Sequence, residues 1–205
     1  MPLVRHIQTA SFEVKIWRIE EDLSFFAQAI TLNEHEASEY SQISYPARKL
    51  EWMTARFVQR QVCSDSLIKD QWGKPHLHSK AGYVSIAHCK HFAAAIYSGQ
   101  DAVGIDIEPI HGKVHRIAQK FLSDSELKKI DSTRSTEDLI VSWSVKEAIY
   151  KWYGKKELSF KRNIQIKDLS YESGIAKVLF SVDNLQIIKK VNFENLGEVI
   201  LAFCD

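Results

Sequence analysis

The residues best suited to chemistry begin with two carboxylates in the run Val103–Gly104–Ile105–Asp106–Ile107–Glu108–Pro109. Val103, Ile105 and Ile107 fall on one side and Gly104, Asp106 and Glu108 on the other, the period of a half-buried strand. At ~3.3 Å rise per residue, the Cα atoms of Asp106 and Glu108 lie roughly 6.5 Å apart on one face. Carboxylates so placed repel unless a cation or protons neutralise them. The expectation is a divalent metal site at the end of a strand that Pro109 terminates, with Gly104 leaving room for something to approach. A second set, Trp143, Glu147 and Lys151, recurs at i, i+4 and i+8. It lies on another face from Val141, Val145, Ala148, Ile149 and Trp152, the stripe a helix would bury. Alone, Glu147 and Lys151 are a surface pair worth about 0.2–0.5 kcal/mol. Joined to Asp106 and Glu108 they suit Mg²⁺ and phosphate, because Mg²⁺ binds through a few carboxylates plus phosphate oxygens. A neighbouring lysine can offset charge on a leaving phosphate.

The elements that must position these residues are of ordinary soluble composition, with 45% hydrophobic and 26% charged residues. A net charge of +1 argues against broad nucleic-acid or membrane binding. Cys63, Cys89 and Cys204 are widely spaced, without a C-x-x-C, so neither a disulfide framework nor a zinc knuckle is expected. Met1–Ala10 lacks an apolar signal core, and no run approaches the roughly 18 residues of a membrane span, so a cytoplasmic location is expected. Strands are predicted at Glu13–Ile19, Tyr83–Ile86 and Phe92–Tyr97, short helices within Leu23–Tyr40, and a helix over Ala47–Ser64 after Pro46. Beyond the carboxylate strand, Ser123 and Glu126 form a capping box. Thr136–Gly154 is the strongest helix, and strands follow at Ile164–Ile166, Ile175–Phe180, Leu185–Lys189 and Val199–Phe203. The turn Ser98–Asp101 divides the chain into lobes 1–101 and 102–205. No internal repeat stands out.

Taken together, Val103-Gly104-Ile105-Asp106-Ile107-Glu108, Phe121 with Glu126, and Trp143-Ser144-Val145-Lys146-Glu147-Ala148 with Lys151 resemble the 4′-phosphopantetheinyl transferases. Gly73-Lys74-Pro75 and the segment ending in His88 are similar to that family's upstream motifs. The length suits its two-lobed, surfactin-synthetase-activating type. The resemblance implies an α+β fold of two similar lobes, a pseudo-dimer with the active site in the cleft between them. It implies transfer of 4′-phosphopantetheine from coenzyme A to a serine of an apo acyl, polyketide or peptidyl carrier protein, with release of adenosine 3′,5′-bisphosphate. It further implies that Asp106, Glu108 and Glu147 hold Mg²⁺ (or Mn²⁺), that Glu147 is the base for the carrier serine, and that Lys151 stabilises the leaving phosphate. Lys74, His88, Arg48 and Arg56 would bind the coenzyme, with Lys146 structural or carrier-facing. A monomer would suffice, and neither nucleic acid nor membrane enters.

The chain departs from the family where Ser85-Ile86-Ala87-His88-Cys89 loses a hydroxyl at Ala87, and where the segment after Lys151 lacks a G-x-G. The other readings of the acidic set are a metal-dependent nuclease or phosphodiesterase and a silent carrier-binding module. A nuclease would carry more basic charge. His76 with His78, and His111 with His115, read as loop histidines. Lys155, Lys156, Lys161 and Arg162 form a basic cluster that reads as a solvated face or an attraction for an acidic carrier.

Overall fold

Alternating and helical patterns close into an α+β fold. The computed structural model describes residues 2–155 and 157–205. Lys156 of the basic cluster lies outside the described residues. The chain divides into two units, Met1–Val103 with Asp205, and Gly104–Cys204.

The first unit contains β1 (Leu3–Gln8), β2 (Glu13–Arg18), α1 (Leu23–Ala29), α2 (Glu34–Ser41), α3 (Pro46–Val62), β3 (Leu67–Lys69), β4 (Pro75–Leu77), β5 (Tyr83–Cys89) and β6 (Phe92–Ser98). Its main sheet is antiparallel in the order β1-β2-β6-β5, and β3 pairs with β4. Pro46 occupies the first turn of α3, where its missing N–H costs no helical bond. Met53, Phe57 and Val58 of α3 then pack with Phe26, Ala93 and Ala95 into one core. Strand β5 runs on through Ala87, His88 and Cys89, which pair with Ala94, Ala93 and Phe92, so of the residues 87–91 between the two predicted strands only Lys90 and His91 form the turn. Strands β1, β3 and β4 were not expected. Four of the first five residues of β1 are apolar or basic without a buried alternate face, and β3 and β4 have three residues each, too few for a period to register.

The second unit contains β7 (Gly104–Pro109), a 3₁₀ turn (Gly112–Arg116), α4 (Ala118–Phe121), α5 (Asp124–Leu127), α6 (Ser135–Tyr153), α7 (Phe160–Asn163), β8 (Ile164–Ser170), β9 (Ile175–Val182), β10 (Leu185–Asn195) and β11 (Val199–Cys204). The sheet order is β7-β11-β10-β9-β8, every pair antiparallel. Helix α6 lies across β7 and β11. Val141, Val145, Ala148 and Ile149 bury the expected stripe against Val178, Phe180, Val191 and Ile200. Gly154, at φ +72°, closes the helix in the left-handed conformation that glycine tolerates best.

One device occurs in both units. In the first, Asn33 and Glu36 make a capping box, and the Glu36 carboxylate accepts from the Leu67 N–H and from Arg60 of α3, with Arg56 alongside. In the second, Ser123 and Glu126 make the capping box, and Glu126 accepts from the Ile166 N–H and from Lys146 of α6. The pairs 33 and 123, 36 and 126, and 56 and 146 are each ninety residues apart. At that interval Asp106 and Glu147 answer to Ile16 and Phe57, both buried apolar residues. The carboxylates of the second unit thus have an apolar counterpart in the first.

Candidate active site

The expected strand and helix meet through a glycine. A Cβ built on Gly104 would stand 2.0 Å from the Ala148 carbonyl oxygen and 2.7 Å from the Trp152 nitrogen. The room beside Gly104 is therefore filled by the backbone of α6. That close approach brings Lys151, one turn beyond Ala148, onto the strand. Its Nζ donates to Asp106 Oδ1 at 2.7 Å. The ammonium thus serves a strand carboxylate rather than making the plain surface pair with Glu147.

Asp106 is almost wholly buried, 4% exposed. Its Oδ2 is buried with no hydrogen-bond partner among the described residues. Burying a charged oxygen without a donor is costly, so Oδ2 is suited to a cation. Glu108 is half-buried, and its Oε1 accepts from the Trp143 indole N–H at 3.2 Å. Burial, then the Asp106 charge, push the Glu108 carboxyl above its usual range, while the Trp143 bond, Lys151 and His111 act the other way. Glu147 carries the larger perturbation. Burial, and after it the charge of Asp106, raise it to about 7, and Lys151 compensates only in part. Three carboxylates therefore act on one another's charge around a single ammonium. Among the described residues, no group of three His, Cys, Asp or Glu side chains is gathered closely enough to hold a metal ion. The donor chemistry still fits a hard divalent cation, with carboxylate oxygens only and one buried oxygen unpartnered.

Lys146, next to Glu147, points the other way. It is fully buried, and its Nζ lies 2.7 Å from the Ile164 carbonyl, 3.0 Å from those of Phe121 and Phe160, and 2.8 Å from Glu126 Oε1. Burial lowers the lysine's pKa. Burial opposes ionising Glu126, yet Lys146 with the Ser123 and Ile166 N–H groups outweighs it and holds that carboxyl below its usual range. Lys146 is thus a buried tie between α6, α4, α7 and β8, and no carrier-facing role remains for it.

In the first unit, Arg48 and His88 line a cavity of about 430 Å³ with Glu39, Trp52 and Lys69. Glu51 stands beside both residues, 3.3 Å from His88 Nδ1 and 3.5 Å from Arg48 Nη1. Lys74 follows a turn held by Asp70, whose Oδ1 accepts from the Trp72 and Lys74 N–H groups and whose Oδ2 binds His76. Arg56, expected to bind the coenzyme, is instead held in a buried ion-pair cluster. It is 2% exposed, 3.2 Å from Glu39 Oε2, 3.6 Å from Glu36 Oε1 and stacked 4.3 Å over Trp52. Sequence reasoning missed Lys69, Glu39 and Asp70. Only Asp70 carried a local signal, a turn-forming Asp three residues before a glycine at φ +87°.

Residues 102–204 match the family model of the 4′-phosphopantetheinyl transferase superfamily. That match spans half of the 205 residues. The chain therefore belongs to the 4′-phosphopantetheinyl transferase superfamily. No curated protein matches the chain.

Proposed function

We propose that this protein transfers 4′-phosphopantetheine from coenzyme A to a serine hydroxyl of an apo carrier protein. Adenosine 3′,5′-bisphosphate leaves, and the protein acts as a monomeric cytoplasmic enzyme of the two-lobed, surfactin-synthetase-activating type. The observation that carries this reading is the pairing of Lys151 with Asp106 beside an unpartnered buried Asp106 Oδ2, inside the segment that matches the superfamily. Asp106, Glu108 and Glu147 would hold Mg²⁺, which when bound clamps the diphosphate and offsets charge building on it. Glu147, with its carboxyl near neutrality, is suited to take the serine proton as the hydroxyl oxygen attacks the β-phosphorus. Lys151, held on Asp106, points an ammonium toward the departing phosphate. Lys74, His88 and Arg48 contact the coenzyme's phosphates, and Arg56 braces Glu39 and Trp52 at the cavity wall instead. Incubating the protein with Mg²⁺, coenzyme A and a panel of apo acyl, polyketide and peptidyl carriers should add the phosphopantetheine mass to at least one. A folded protein that modifies none would refute the reading.

A further inference from the structure

Trp143 carries one polar side-chain group, its indole N–H. It stands one turn before Glu147 on α6, and its ring is wedged between Phe121, edge-on at 5.0 Å, and Phe160 at 5.5 Å. Two neighbours on different elements fix the indole plane, and with it the direction of the single N–H. That N–H reaches Glu108 Oε1 at 3.2 Å. Glu108 sits at the end of β7, beside Pro109, where the ladder to β11 continues only through Val199. A glutamate there has three side-chain torsions to fix, and the strand backbone fixes none of them.

We propose that Trp143 is a positioning residue: its indole N–H occupies Glu108 Oε1 and so presents Oε2 as a one-oxygen ligand for a divalent cation. The inference rests on the proposed metal role of Glu108. Outer partners of this kind orient a ligating carboxylate, and their loss typically costs 10–100-fold in metal affinity or activity. A purely structural tryptophan would act through Phe121 and Phe160 alone.

The test is Mn²⁺ binding by the substrate-free protein, followed by the electron paramagnetic resonance of the free ion. Trp143→Phe keeps a ring between Phe121 and Phe160 and removes the donor; Trp143→Met, apolar and without a donor, serves in its place if the Phe variant folds poorly. Thermal melts check the fold of each. The expected result is an Mn²⁺ dissociation constant raised about 10-fold in W143F. In a Glu108→Ala background the same change should add less than twofold, because the carboxylate it orients is gone. Equal Mn²⁺ affinity in wild type and W143F, or equal losses in the two backgrounds, would overturn the positioning role while leaving the metal reading intact. Absence of Mn²⁺ binding by folded wild type would overturn the metal reading and this inference with it.

Discussion

Replacing Gly104 by alanine adds one methyl group at the tightest point of the second unit. The new Cβ would meet the Ala148 carbonyl oxygen at 2.0 Å, the Trp152 nitrogen at 2.7 Å and the Ala148 carbonyl carbon at 3.0 Å. All three are helix backbone, so no flexible side chain can give way. An ordinary contact begins near 3.4 Å, so α6 must retreat from β7 by about 1.4 Å at Ala148. Glu147 precedes that residue and Lys151 follows it by one turn, so both move with it. The 2.7 Å bond from Lys151 to Asp106 would not survive such a retreat. Overpacking of this size costs about 1–3 kcal/mol of stability. A misplacement of about 1 Å in a catalytic constellation costs on the order of 100-fold in rate. The assay pairs thermal unfolding with single-turnover transfer at saturating coenzyme A. Gly112→Ala is the control, since nothing stands within 4 Å of its added Cβ, and it should behave as wild type. A Gly104→Ala protein that melts and turns over within threefold of wild type would refute the reasoning, because α6 would then not be seated on this glycine.

Other perturbations separate structural from chemical roles. Lys146→Met should cost about 3–5 kcal/mol in urea unfolding, because Glu126 is left as a buried charge without its cation; adding Glu126→Gln should recover part of that loss. Glu147, raised to about 7 from an ordinary 4.5, contributes stability that is fully present below the unfolded value and is lost as pH rises through about 7. Denaturation of metal-free protein between pH 4.5 and 7.5 should show a fall of roughly 2–3 kcal/mol relative to Glu147→Gln, and a flat difference would contradict the assigned burial and, after it, repulsion by Asp106. Lys74→Ala should raise the KM for coenzyme A and leave kcat nearly unchanged in steady-state assays.

Strand β7 and helix α6 were legible because their apolar residues repeat at periods of two and of 3.6, and the capping box because its two residues are local. The close seat of α6 on Gly104 was not, since a glycine records that something approaches but not what. A structural role for Lys146 was expected, but its partners were not legible for a related reason. Lysine is almost never fully buried unless paired, and its pairing here depends on carbonyls of Phe121, Phe160 and Ile164, from three different elements. The burial of Arg56, expected on the coenzyme, was not legible because Glu36 and Glu39, which hold it, sit on another helix seventeen or more residues away. The recurrence of the capping-box glutamate at an interval of ninety residues escaped notice because its basic partner is arginine in one unit and lysine in the other. Its N-cap also changes from Asn33 to Ser123. Only the contacts show that the roles agree, with Arg56 and Arg60 beside Glu36 and Lys146 beside Glu126.

The carboxylate between Asp106 and Lys151 in charge, Glu147, offers the most direct test of the chemistry. With saturating coenzyme A and an accepted apo carrier, Glu147→Gln should slow single-turnover transfer by on the order of 100-fold or more. The loss of turnover should far exceed any loss of coenzyme affinity, because the substituted amide keeps one oxygen to ligate the cation while the base acts only during the reaction. Transfer at the wild-type rate, or a loss that lies wholly in coenzyme binding, would contradict the account.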